Sequence, residues 1–517
     1  MRILLVSNCY PPNFIGGAEL VVHRQARQLL SSGHEVRVFA GDHTAPVPRH
    51  QSWEDIHERV AVTRVRITSQ DTEHRFANFL NRPVAEILNA LIGRWKPDVV
   101  HFHNTTGLSL IPYYHSRKLG IPVLVTLHDH WGFCMRNTLI NSQHKTCRDF
   151  AACANCQTFL QDEWDRQIPI SCRKDYFRRR LSVVRCFITP SAYLANQYVR
   201  AGFDAQRFAV ISNGIDPVLP AAPRITGQPC RFTTICHLGQ HKGVHIIFEA
   251  LRRMPKTLDW RFNLVGVGPL EPDLRRMATN EGFAHRIRFW GQLPNEQIPS
   301  VLAETDVYVL ASIWAENEPV SILESLARGI PVVASAAGGT PELVQARVNG
   351  WLVPVADVTA LQRVFTEAIS NPPLVRQLAE GALRVGTRWP ESRQVARLVI
   401  AYEQALRGGL ETPLSCPLVA ITGHQISETA AAAIALIKQA RPEIDVIPLG
   451  WLEPEELDLI SAVLEITPGD GAAIPARAIR LPAKPSDVCA WLASIAPSIP
   501  ALAPTISPLA KSVFIKN

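Results

Sequence analysis

Glu316 to Pro341 read ENEPVSILESLARGIPVVASAAGGTP, and the spacing inside this stretch points to the fold class. Pro319 suits the first turn of a helix, Val320 to Arg328 carry it, Gly329 ends it, and Ile330 to Ser335 form a buried strand. Helix followed directly by an apolar strand is the repeating unit of a parallel α/β sheet. Glu316 falls in the loop before the helix and Glu324 about two turns further on, so the two acids face different parts of one extended ligand. Between them the free N–H groups and positive end of the helix dipole seat an anion. Acid, anion seat, acid matches a nucleotide sugar: sugar hydroxyls, diphosphate, ribose hydroxyls.

This stretch resembles the E-x7-E signature of the family-4 glycosyltransferases, retaining enzymes of GT-B fold that use nucleotide-sugar donors. The resemblance implies that Glu316 contacts the donor sugar and Glu324 the ribose, with Asn317, Pro319 and Val320 completing the donor pocket. It also implies an α/β architecture of two Rossmann-like domains facing a cleft. The bland alternative is a solvated Glu316 and a Glu324 held in a helix salt bridge.

Length agrees with two large domains, because 517 residues exceed what one core spans. A composition of 47% hydrophobic and 19% charged residues is that of an ordinary globular protein. A net charge of +7 and a pI near 8.9 are too mild for nucleic-acid binding without an organised basic patch. The opening MRILLVSN is too short an apolar run for a signal peptide, and no later run is long enough to span a membrane. A cytoplasmic protein, peripheral at most to the inner face of a membrane, is the expectation. Its 11 cysteines then read as thiols or metal ligands rather than disulfides.

The first domain begins with a strand at Ile3 to Ser7, a loop to Gly17, a helix over Ala18 to Ser31 and a strand at Glu35 to Ala40. Gly16 and Gly17 allow close backbone approach to a ligand. With Tyr10, Pro11, Pro12 and Glu19 they resemble the family's YPP…GGAE opening, whose glycines meet the donor phosphate. Strands at Val99 to His103 and Val123 to His128 end in polar residues, at the sheet edge where ligands of α/β proteins collect. His128, in TLHDHW, inherits from the resemblance a place beside the transferred sugar; His101, His103 and His130 are weaker candidates for lining the acceptor cleft.

Past this strand stand Cys134, Cys147, Cys153 and Cys156, with Cys172 as a candidate fifth. A Cys-x2-Cys pair and four thiolates fit structural zinc, and four unrelated thiols fit the spacing as well. Four cysteines leave no open position for a catalytic metal. A subgroup of the family carries a similar cysteine-bearing insertion. From Trp164 to Arg185 the chain reads as an amphipathic helix with the basic run Arg173, Lys174, Arg178, Arg179 and Arg180, either a solvated face or a surface for anionic lipid.

The second domain restarts at Phe232 to His237, and Lys242 stands at the head of a helix where a diphosphate would sit. In the family an arginine precedes this lysine by five positions. His237 occupies that position here, and a neutral imidazole supplies one hydrogen bond where arginine supplies a permanent charge.

The expected division is 1–212 for an acceptor domain with a cysteine-rich insertion at 134–172, 213–390 for the donor domain, 391–406 for a returning helix and 407–517 for an extension. That extension is either a small α/β appendage or a poorly structured remnant, with proline frequent from Pro475 to Pro508. The resemblance implies sugar transfer to a carbohydrate or lipid-linked hydroxyl in envelope polysaccharide or glycolipid assembly. His128, Glu316 and Lys242 would be catalytic, no cofactor would be required, and zinc would be structural only. The rivals are a GT-B epimerase or phosphorylase, and a non-catalytic sugar-nucleotide-binding protein.

Overall fold

Strands buried on both faces need helices on both sides, and parallel pairing needs crossovers long enough to hold them. A computed structural model of the chain shows this arrangement twice. It describes residues 1–13, 16–72, 78–143, 145–150, 153–161, 167–215, 220, 228–409, 418–422, 431, 434–435, 437–438, 443–448, 451–453, 460–465 and 478–480. Among them, the first sheet has eight strands in the order Phe208–Val210, Val184–Thr189, Val123–Thr126, Val99–Phe102, Arg2–Ser7, Glu35–Asp42, Val60–Arg66, Ser52–His57. Its pairs are parallel except the last, an antiparallel hairpin. Ile3, Leu4, Leu5 and Val6 are fully buried, which is why the opening strand is a continuous apolar run.

The second sheet is wholly parallel, in the order Ile287–Gly291, Trp260–Val265, Cys230–Ile235, Val307–Leu310, Val332–Ser335, Gly350–Val353. The helix Glu391–Arg407 places Val395, Leu398, Ala401, Tyr402 and Ala405 in one core with Val22, Leu29 and Val99 of the first sheet's layer. Spacings of three and four residues make this apolar stripe.

Leu418–Thr422, Asp445–Pro448, Ile460–Glu465 and Ala478–Arg480 form a third, four-stranded parallel sheet. The described part of the extension is therefore a small parallel sheet; most of the Ala-rich stretch 428–438 and the proline-rich end lie outside the described residues.

This third sheet corrects the reading of the basic stretch. The helix there runs only Ile170–Leu181, and Arg173, Arg179 and Arg180 are buried rather than presented to solvent or lipid. Arg178 and Arg179 pair with the buried Asp445, while Asp175 accepts from Lys438 at 2.7 Å and from the Val446 amide at 2.9 Å. Arg180 lies 4.8 Å from the Tyr114 ring centroid, and Trp451 of the extension packs edge-on against Tyr176. The charges on this helix bind another part of the chain.

Candidate active site

The loop Ala311 to Pro319 follows the central strand Val307–Leu310 and delivers Glu316 to the carboxyl edge of the second sheet. Glu316 is almost completely buried. Its Oε1 accepts from Lys242 Nζ at 2.6 Å, Ser312 Oγ at 2.6 Å and Trp314 Nε1 at 2.7 Å. Burial alone would push its pKa up, but the Lys242 charge and these three donors outweigh it, so the pKa lies below the usual value. Glu316 is thus a carboxylate at neutral pH. All three donors converge on Oε1, which leaves Oε2 to accept from a ligand hydroxyl.

Lys242 belongs to a short 3-10 turn, Gln240–Lys242, ahead of the helix Val244–Arg252 rather than to the helix itself. Gly243 makes that geometry, with φ +66° and a backbone so close to the Ala311 carbonyl that a Cβ would stand 1.9 Å from its oxygen. Gly338 does the same behind Glu316, where a Cβ would stand 2.0 Å from the Glu316 carbonyl oxygen. The exposed His237 stacks on His241 at 6.0 Å, and the His241 ring lies 4.7 Å from Trp314. Burial first, then Lys242, lowers the His241 pKa, so this imidazole is not a second cation at neutral pH.

Across the cleft stands His128, two residues past the end of its strand. Its Nε2 is 3.0 Å from His103 Nδ1, and burial lowers its pKa to about 4. His128 is neutral at pH 7. Asn317 Nδ2 donates to the His128 carbonyl at 2.8 Å, tying the donor loop to this wall, while Asn317 Oδ1 is buried with no partner. Gly16 precedes the helix Gly17–Ser31, and a Cβ on Gly17 would meet Val320 at 3.5 Å, so the starts of two helices face each other here.

Three candidate histidines turn out to support the wall instead of lining the cleft. His101 is fully buried between Tyr402 OH and Thr126 Oγ1, each at 2.7 Å. His103 is fully buried beneath His128, and His130 is buried against the Asn137 carbonyl at 3.0 Å. His101 belongs to the strand Val99–Phe102, buried on both faces, and His103 follows it directly, so a strand-end position does not reveal this outcome.

Glu324 is held in an ion pair, with Arg24 of the first helix reaching across to it at 3.0 Å. Two further acids that the sequence did not single out bridge the walls. Glu318 accepts from Ser212 Oγ and from the Asn213 amide, and Glu342 accepts from the amides of Ala192 and Tyr193 at the start of the helix Ala192–Arg200. The only signal for Glu318 was its place beside Pro319 in the quoted stretch; Glu342 and Arg24 carried none. Burial lifts the pKa of Asp129, beside His128, to about 7.

The four candidate metal cysteines line one cavity of about 300 Å³ beyond His130. Their sulfurs are not drawn to coordinating spacing: among the described residues, only His23, His57 and Glu58 place three donor atoms within 4.8 Å of one another. Cys172 is buried in the core instead.

Residues 15–219 match the sequence model of the family described as Glycosyltransferase Family 4, and residues 220–385 match that of Glycosyl transferases group 1. By fold the chain is GT-B, and two adjoining stretches of it match glycosyltransferase family models. Over 174 residues it is 32% identical to a putative colanic acid biosynthesis glycosyltransferase, WcaL, of Salmonella typhimurium, covering 32% of this chain and 43% of that protein. The chain thus spans less than half the length of that relative. It is 27% identical over 385 residues to the GDP-mannose-dependent alpha-(1-6)-phosphatidylinositol monomannoside mannosyltransferase of Mycolicibacterium smegmatis, covering 72% of this chain and 90% of that one. Among solved structures, HepE of Anabaena in complex with UDP superposes with a TM-score of 0.56 at 19% identity, over 78% of this chain and 100% of that one. No described helix is long and apolar enough to cross a membrane.

Proposed function

We propose that this chain transfers a sugar from a nucleoside diphosphate to an acceptor hydroxyl with retention of anomeric configuration. The observation that carries the reading is the buried Glu316–Lys242 pair, set opposite His128 and the Gly16–Gly17 helix start. In this reading Glu316 Oε2 and Asn317 Oδ1 hold sugar hydroxyls. Lys242 and the first amides of the Val320–Ala327 helix stabilise charge growing on the leaving diphosphate. The leaving diphosphate takes the acceptor proton, and the acceptor attacks from the same face. Neutral His128 contributes a hydrogen bond beside the sugar without adding charge. Glu324 binds the ribose once Arg24 releases it.

The names of the relatives support a place in envelope polysaccharide or glycolipid assembly. The phosphatidylinositol monomannoside in that mannosyltransferase's name favours a lipid-linked hydroxyl and work at the cytoplasmic face of a membrane. HepE was solved with UDP and with UDP-glucose, which favours a nucleotide-sugar donor here. The cysteine-bearing insertion favours membership of the subgroup that carries one. A non-catalytic binding protein is the second reading, favoured by the exposed His237 where the family has arginine.

The deciding experiment incubates purified protein with a panel of nucleotide sugars and lipid-linked or oligosaccharide acceptors. Acceptor-dependent release of nucleoside diphosphate, with the donor's anomeric configuration kept in the product by NMR, is the expected result. Inversion would reject the mechanism. Donor binding without turnover across the panel would favour the second reading.

A further inference from the structure

Between Cys134 and Pro169 the chain has little core of its own. Among its described residues only Leu139, Leu160 and Ile168 are buried apolar side chains, and its elements are a 3-10 turn and a three-residue hairpin. A segment with so little apolar burial needs another source of order. The cysteines divide accordingly. Cys9, Cys172 and Cys230 are buried in the cores and Cys186 and Cys236 are half-buried elsewhere, whereas Cys134, Cys147, Cys153 and Cys156 alone among the described cysteines are gathered, unpaired, around one cavity.

The local hydrogen bonds bring them there from separate points of the chain. Cys153 and Cys156 sit on one turn closed by the Cys156 amide and the Cys153 carbonyl at 2.9 Å, which places their side chains on a common hook. The Cys147 amide donates to the Leu139 carbonyl at 2.6 Å, folding the second cysteine back toward the first.

We propose that zinc draws Cys134, Cys147, Cys153 and Cys156, which line one cavity at wider than coordinating spacing in this structure, into a structural site that staples this segment. Four sulfur ligands give the closed tetrahedral shell of a structural site, with Zn–S distances of about 2.3 Å. Zinc binding displaces the thiol protons to solvent and leaves an excess of negative charge. Arg136 and Arg148 on the cavity wall oppose that charge. Arg173 opposes it from below, buried on the Phe177 ring and donating to the Trp131 carbonyl at 3.0 Å. The staple anchors to the cleft wall directly, because the Cys134 amide donates to the His130 carbonyl at 2.8 Å. Metal therefore fixes the side of the cleft that carries His128 and leaves the Glu316–Lys242 wall untouched.

Full-length protein purified without chelator should contain about one zinc per chain by elemental analysis. Replacement by Co2+ should give the sulfur-to-metal charge-transfer absorption of thiolate ligation. The double variant Cys153→Ser, Cys156→Ser should lose the metal, and His23→Ala should keep it. Fresh protein that holds no metal and takes up none from added zinc overturns the proposal. So does bound metal without thiolate absorption, or metal kept by the double variant and lost on His23→Ala. Metal content is read independently of turnover, so failure here leaves the proposed activity standing, and failure of that activity leaves the site.

Discussion

The helix Ile170–Leu181 and the loop leading to Glu324 both bury charge, and they do so to opposite ends. On the helix, Arg178 and Arg179 meet Asp445, and Asp175 meets Lys438, so each set of opposite charges is closed by the extension. In the loop, Glu316 spends one oxygen on Lys242, Ser312 and Trp314, keeps the other for a ligand, and stands beside an Asn317 oxygen without a partner. Buried charge that is satisfied within the chain holds parts of the chain together. Buried charge that is satisfied only on one side is prepared for something else, because leaving a polar group dry and unpaired costs free energy that a ligand can recover.

The sharpest way to break this contrast is Asp445→Asn. Removing the Asp445 charge takes a counter-charge from the buried Arg179, so folding stability should drop by about 3–5 kcal/mol in chemical denaturation, while turnover per folded molecule stays at the parent value. A stable variant with lost turnover would make the helix part of the active site. Glu316→Gln is the converse case: turnover per folded molecule should fall by about 100- to 1,000-fold, roughly 2.7–4 kcal/mol of transition-state stabilisation, in a protein that still folds although losing the Lys242 ion pair lowers its melting temperature. Unaltered kinetics in this variant would remove Glu316 from the chemistry.

Glu318 lies between these extremes, since it belongs to the donor loop but is satisfied by Ser212 and Asn213 of the other wall. Burial raises its pKa from 4.5 to about 8, against the lowering effect of those donors. A group that holds its proton more tightly when folded adds stability below its unfolded value, and that contribution is lost as pH rises through the folded value. Stability should therefore decline between about pH 4.5 and pH 8, by about 1.4 kcal/mol for each unit of pKa difference. Glu318→Gln is neutral throughout this window and should flatten the slope. An unchanged slope would show that this contact between the walls is not governed by the Glu318 proton.

Much of this molecule is written in short-range order along the chain. The helix expected at Ala18 to Ser31 runs Gly17–Ser31, and the one expected from Val320 ends at Ala327. Ser191 caps its helix by accepting from the Leu194 amide, as its residue type suggests. Apolar runs, caps and glycines act over a few residues, so they can be read without knowing what lies opposite. The order acid, helix start, acid in Glu316 to Glu324 was legible for the same reason, and so was the gathering of four cysteines within one segment.

What lies opposite was decided by the tertiary structure alone. Arg24 and Glu324 are 300 positions apart, and Arg178 and Asp445 are 267 apart. Nothing local marks either member of such a pair, and a run of arginines looks the same whether water or a distant aspartate receives it. His101, His103 and His128 likewise share a strand-end position in the sequence, yet two are sealed in the core and one reaches the cleft. Composition and spacing specify which elements form and where their polar ends fall. Which of those ends are spent on other parts of the chain, and which remain for a ligand, depends on packing between elements far apart in sequence, and that is settled only when the chain is folded.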